Sequence, residues 1–264
     1  MDTNEKIKQI IENSGNDFHL EVVEILKSRL WDVEISCYYN DPATDKQREI
    51  DIIATKKFPI ESFFTGPHES FTLRLFIECK YINKPNVLWF VPKNVEKAKK
   101  LSKRNIVLND CDDLDLYDRS KVPHRQVHYL IEDEVLKLTS EVENQDPFYK
   151  GMNGCLNAYI FYTQFLTQKI YKVVNFPIIA INSFENIYKR DNKKGDGYSE
   201  INKNFQMEVN YAYLNSTQKS VTEYFLIDIL SKDKLIIFLD SLEENDGHIL
   251  KSKIEWDLRR KTSK

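Results

Sequence analysis

Glycine is scarce in this chain of 264 residues, which holds only seven. None opens a GxxxxGK(S/T) loop or a GxGxxG turn after a strand, which argues against an NTPase or a dinucleotide-dependent enzyme. The four cysteines, Cys37, Cys79, Cys111 and Cys155, lie far apart, with no CxxC pair and no histidine at zinc-ligand spacing. They read as reduced thiols of a cytosolic protein rather than as a zinc site. His19, His68, His124, His128 and His248 are scattered without a partner pattern. No run approaches 18 apolar residues and residues 1–13 are charged, so the expectation is a cytoplasmic protein with no membrane partner. An excess of positive charge is missing too: 38 Lys and Arg face 41 Asp and Glu, for a formal net charge of −3. Any contact with a phosphate backbone must therefore be concentrated in a local strip. Repeats, low-complexity tracts and helix-turn-helix, zinc-finger or RNA-binding signatures are also lacking.

What is present describes one folded chain, 41% hydrophobic and 30% charged. Residues 17–30 have helical periodicity, with Phe18, Val22, Ile25, Leu26 and Leu30 on the apolar stripe and Asp17 placed to cap the start. Glu21 sits at the edge of that stripe, either looking into a site or as an ordinary boundary residue; Glu24 lies opposite. Strands are expected at 33–39, 48–55 and 71–79, with a turn at 40–45. A short strand at 87–91 and a basic helix at 94–104 follow, a run that is more often a solvated face than a nucleic-acid contact. The acidic run 109–115 lacks the glycine and terminal glutamate of an EF-hand and reads as a surface loop. Helices are expected at 132–143 and 147–170, then a strand at 173–181 that Pro177 moves towards a sheet edge. A polar segment at 189–204, strands at 208–214 and 224–230, a short helix at 233–242 and a frayed basic tail at 251–264 complete the chain.

Ionisable groups set inside apolar strands stand out in two runs, residues 48–54 and 71–80. Strand alternation puts Glu49 and Asp51 on one face against Ile50 and Ile52, and Glu78 and Lys80 opposite Ile77 and Cys79. If the runs pair, three acids and one lysine converge. Such a cluster is costly unless compensated, and a divalent cation is the natural compensator. The alternative is a purely structural ion pair of Lys80 with Glu78 or Asp51.

An acid on the first amphipathic helix (Glu21), a strand aspartate in Glu49-Ile50-Asp51 and the E-x-K of Glu78-Cys79-Lys80 together resemble the PD-(D/E)XK, or restriction-endonuclease-like, nucleases. The resemblance covers residues 17–80 by motif and 147–181 by order of elements; Ile50 stands where the family has proline. It implies an α/β fold, a central mixed sheet flanked by helices around an αβββαβ core. One domain spans 1–264, with an inserted segment at about 83–146 and a C-terminal extension at about 182–264. It implies Mg²⁺ or Mn²⁺ held by the Asp51 and Glu78 carboxylates and the Cys79 backbone carbonyl, with Glu21 completing the shell through water and Glu49 as a further candidate. Lys80 would orient or deprotonate the attacking water, or balance charge on the phosphate. Lys93, Lys97, Lys100, Lys103 and Arg104, with residues 189–194, would track the phosphates of DNA. Kinship further implies an endonuclease of bacterial or phage defence or restriction, with partner proteins of such a system and a homodimer for duplex cleavage. A non-catalytic nucleic-acid or protein-binding module on the same fold, and a nuclease acting on RNA, are the alternatives.

Overall fold

The computed structural model describes residues 3–41, 44–59, 70–90, 94, 96–97, 100–101, 124–130, 147–164, 173–191, 197–247, 251–252 and 255. Helices α1 (Thr3–Ser14) and α2 (Asn16–Ser28) precede strands β1 (Asp32–Asp41), β2 (Lys46–Pro59) and β3 (Ser70–Lys80). Strands β4 (Asn86–Phe90) and β5 (His124–Leu130), helix α3 (Pro147–Gln164) and strand β6 (Val173–Ile181) follow. The chain continues through β7 (Ile187–Asp191), β8 (Ser199–Glu200), β9 (Phe205–Leu214), β10 (Ser220–Ser231), helix α4 (Lys232–Ser241) and a π-helical turn, Leu242–Gly247.

Among the described residues the strands make one ten-stranded mixed sheet in the order β1-β2-β3-β6-β10-β9-β5-β4-β7-β8. β1, β2 and β3 pair antiparallel in sequence, whereas β3 and β6 run parallel. A parallel neighbour requires a long crossover, and α3 lies on that path. Central strands are covered on both faces. Ile178 and Ala180 of β6 pack with Val22 and Leu26 of α2 and with Leu235 and Phe238 of α4. Ile179 and Ile181, one residue out of phase, pack with Phe148, Cys155 and Leu156 of α3. The fold is therefore α/β, helices on both sides of a mixed sheet, as the resemblance implies at this coarse level.

Local departures have identifiable causes. Helix α2 stops at Ser28, and Leu30, expected on its apolar stripe, stands at φ 61° and 85% exposed. Leu30 N–H donates to Lys27 O and Trp31 N–H to Leu26 O, a Schellman ending with leucine in the left-handed position usually held by glycine. Trp31, 3% exposed, enters the core instead. At the other end Gly15, at φ 71°, occupies the cap position, and Asp17 lies in the first turn. Pro177 does not mark an edge: β6 lies between β3 and β10. Pairing to β10 begins only at Ile178, so the residue without an N–H falls where β6 is paired to β3 alone.

Helix α1 and strands β5, β7 and β8 have no counterpart in the sequence reading. The expected helix at 132–143, the loop at 109–115, residues 165–170 of the expected 147–170 helix and most of the tail at 251–264 lie outside the described residues. Among the described residues, no helix is long and apolar enough to cross a membrane.

Candidate active site at the fork between β2 and β3

β2 and β3 are paired from Pro59 and Ser70 up to Ile52 and Ile77. Beyond that pair they part: β2 stays with β1 to the end of their hairpin, and β3 stays with β6 to Lys80 and Ile181. Asp51 is the first residue of β2 past the split. Its Oδ2 accepts the Cys79 N–H at 2.7 Å, so a side chain takes over where the backbone ladder ends. At the same level β1 is kinked, with Ser36 at φ 53°.

Two residues of β3 complete the fork. Glu78 is only 5% exposed, held beneath α3. Lys80 Nζ donates to Glu78 Oε2 at 2.6 Å and lies 3.8 Å from Asp51 Oδ2, so one ammonium addresses both carboxylates. Burial pushes the Glu78 carboxyl up to about 7, with Lys80 opposing and Asp51 reinforcing the rise. Burial alone would lower Lys80, but the Glu78 and Asp51 carboxylates outweigh it and leave its pKa raised. Ionised together, the three groups carry one net negative charge in a poorly solvated corner, an arrangement that attracts a further cation.

Helix α3 roofs the fork. Ala158 packs with Phe76 and Ile53, and Gly154 rests directly on Glu78. The Tyr39 hydroxyl of β1 donates to Gly154 O at 3.4 Å. Tyr39 is itself shifted upwards by burial and then by Glu78 and Asp41. Asp41 accepts from Arg48 Nε at 3.4 Å. Further along α3, Asn153 and Asn157 each lie 2.9 Å from the Tyr211 hydroxyl of β9.

Not every expected residue joins this cluster. The side chain of Glu21 is 47% exposed and accepts from Lys232 Nζ at 2.7 Å, at the start of α4. Glu49 is exposed and stands opposite Tyr38, whose hydroxyl it accepts and whose pKa it raises. Lys93, Lys103 and Arg104 lie outside the described residues. Lys97 sits 5.6 Å above the Tyr224 ring, and near it Leu101 packs on Leu226 and Tyr224 of β10. Residues 224, 226 and 230 share the β10 face turned to α2, while 225, 227 and 229 turn to α3. Lys97 and Lys100 thus lie on the sheet face opposite Glu78. Lys189 and Arg190 stack on Phe90 and Trp89, near the far edge of the sheet; residues 192–194 lie outside the described residues.

Sequence reasoning missed Tyr39 and Gly154. The first carries no motif. The second left one signal: two of the chain's few glycines, Gly151 and Gly154, stand one turn apart inside a helix, where glycine is unfavourable.

Among the described residues, no group of three or more His, Cys, Asp or Glu side chains is arranged to hold a metal ion. A hard cation at the fork would have the two carboxylates of Asp51 and Glu78, the Cys79 carbonyl and water. That oxygen set suits Mg²⁺ or Mn²⁺, which keeps several waters and few protein ligands. The Lys80 ammonium, within reach of both carboxylates, marks a position where positive charge is already favoured. No known protein family, no curated protein and no solved structure matches the chain.

Proposed function

We propose that the protein is a metal-dependent nuclease of the PD-(D/E)XK type, hydrolysing phosphodiester bonds of DNA. The reading rests on one observation above all: an aspartate, a buried glutamate and a lysine share the point where two strands part. The order α2, β1, β2, β3, α3, β6, with β4 and β5 intervening between β3 and α3, supports it when read as an αβββαβ core carrying an insertion.

Asp51, Glu78 and the Cys79 carbonyl would hold Mg²⁺ or Mn²⁺, which supplies Lewis-acid polarisation of a phosphate oxygen. The remaining work falls to the chain. Lys80, kept charged by its two carboxylate neighbours, donates hydrogen bonds and does not serve as a base; it orients the attacking water and offsets charge growing on the phosphate. Asp51 holds the Cys79 amide and so fixes the carbonyl of the same residue at the fork. Helix α3 keeps bulk water away from Glu78. Because Lys97 and Lys100 lie on the other face, Arg48, exposed on β2 three residues before Asp51, is the cation we assign to a phosphate backbone.

The test is plasmid cleavage with Mg²⁺ or Mn²⁺. Nicking or linearisation should vanish with EDTA and fall at least about 100-fold in Lys80→Ala and Asp51→Asn. Equal rates in the variants would remove the assignment. A second reading is a binding module on the same fold, favoured by an unusually apolar exposed helix face at Ile7, Ile10 and Ile11. Calorimetry separates the two, because such a module takes up no Mn²⁺ in a manner sensitive to Asp51→Asn. Parallel assays on RNA decide the substrate.

A further inference from the structure

We infer that Gly154 is a positioning residue for Glu78: α3 lacks a side chain there because the buried carboxylate fills the space, and that fit dictates where the carboxylate stands. The consequence for chemistry rests on the function proposed above; the packing does not.

Three observations carry it. A Cβ built on Gly154 would overlap Oε1 and Cδ of Glu78 and press on its Cγ at 3.0 Å. Glu78 has little freedom to yield, being 5% exposed and tied to Lys80 at its other oxygen. The same turn of α3 is held down from outside by the Tyr39 hydroxyl on Gly154 O, so the helix cannot easily lift away. A side chain at 154 must then displace the Glu78 carboxylate from the position in which it meets Lys80.

Gly151, one turn earlier, supplies the control. The three atoms nearest a Cβ there all belong to Ile179, at 3.0 Å for Cδ1, 3.1 Å for Cγ1 and 3.4 Å for Cγ2. That contact is apolar and involves no member of the fork. Both glycines bring α3 close to the sheet, but only one of them touches the acid.

Thermal unfolding of four chains tests the inference: Gly154→Ala and Gly151→Ala, each in the native background and with Glu78→Ala. Alanine is ordinarily better than glycine inside a helix, so the sign of the effect is informative. With Glu78 present, Gly154→Ala should lower the midpoint by roughly 2–6 °C; with Glu78→Ala it should leave it unchanged or raise it. Gly151→Ala should act alike in both backgrounds. Should Gly154→Ala fail to fold alone while the double variant folds, the coupling is shown all the same. An equal shift in both backgrounds overturns the inference. Mn²⁺ calorimetry adds the functional arm: affinity should drop at least about tenfold in Gly154→Ala and stay within about threefold in Gly151→Ala. Coupling without Mn²⁺ binding by the native protein would leave the positioning role standing and remove the nuclease reading.

Discussion

Glu78 with Lys80 and Glu21 with Lys232 are nearly the same pair by distance, 2.6 Å and 2.7 Å. Their surroundings differ. The first acid is 5% exposed and pressed between β3 and α3; the second lies on the surface between α2 and α4, its side chain 47% exposed. Burial pushes the Glu78 carboxyl up to about 7, whereas an exposed pair is screened and contributes little. A third case lies between them. Glu243 accepts from Lys56 Nζ at 2.5 Å and Trp31 Nε1 at 2.8 Å, and Lys56 also donates to Arg29 O, so that acid ties the π-helical turn after α4 to β2 and to the segment that follows α2. Separation alone does not distinguish a clasp, a surface contact and a reactive corner. The decisive quantity is how much of the charge is left for the pair to satisfy.

Stability against pH should separate Glu78 from Glu21 most widely. The Glu78 carboxyl rises from about 4.5 to about 7 on folding, so the folded chain holds this proton more tightly than the unfolded one. Its contribution is present in full below about pH 4.5 and is lost as the pH rises through about 7. Lys80 stays charged across that window. Between pH 5 and 8 the native protein should lose roughly 1–3 kcal/mol that Glu78→Gln does not lose, measured by urea unfolding. Parallel slopes in the two proteins would put Glu78 in the same class as Glu21.

Much of this corner was legible in the chain because strand alternation is a local rule. Asp51, Glu78 and Lys80 follow from period two within two short runs. For Glu21 no local pattern could choose between a site and an ordinary boundary position, because its partner Lys232 lies 211 residues away. The end of α2 was hidden by Leu30, a residue that carries no stop signal yet adopts φ 61°. Pro177 misled because proline reports a missing donor, not which neighbour that donor would have faced. β7 and β8 are short strands of polar sequence at a sheet edge, paired to partners that no local pattern identifies.

Metal affinity offers the next contrast. A carboxyl that must lose its proton to become a ligand makes binding pH-dependent. Mn²⁺ affinity should therefore rise by up to about tenfold per pH unit below about 7 and flatten above it, as followed by calorimetry. Affinity independent of pH over that range would detach Glu78 from the ligand set. The smallest effect belongs to the surface pair. Glu21→Gln should change stability by less than about 0.5 kcal/mol in urea and cleavage by less than about twofold; a larger loss of cleavage would bring Glu21 back to the fork.

The last helix completes the packing of an early one. Leu235, Phe238 and Leu239 of α4, and Leu242 beyond it, share one core with Phe18, Val22 and Leu26 of α2, and Glu243 takes the Trp31 indole N–H. During synthesis α2 emerges first; β2, β3 and β6 can cover part of its apolar stripe, but the part that meets α4 stays open until residues 29–231 have been joined. The early helix therefore gains its full set of apolar neighbours only once α4 has folded against it.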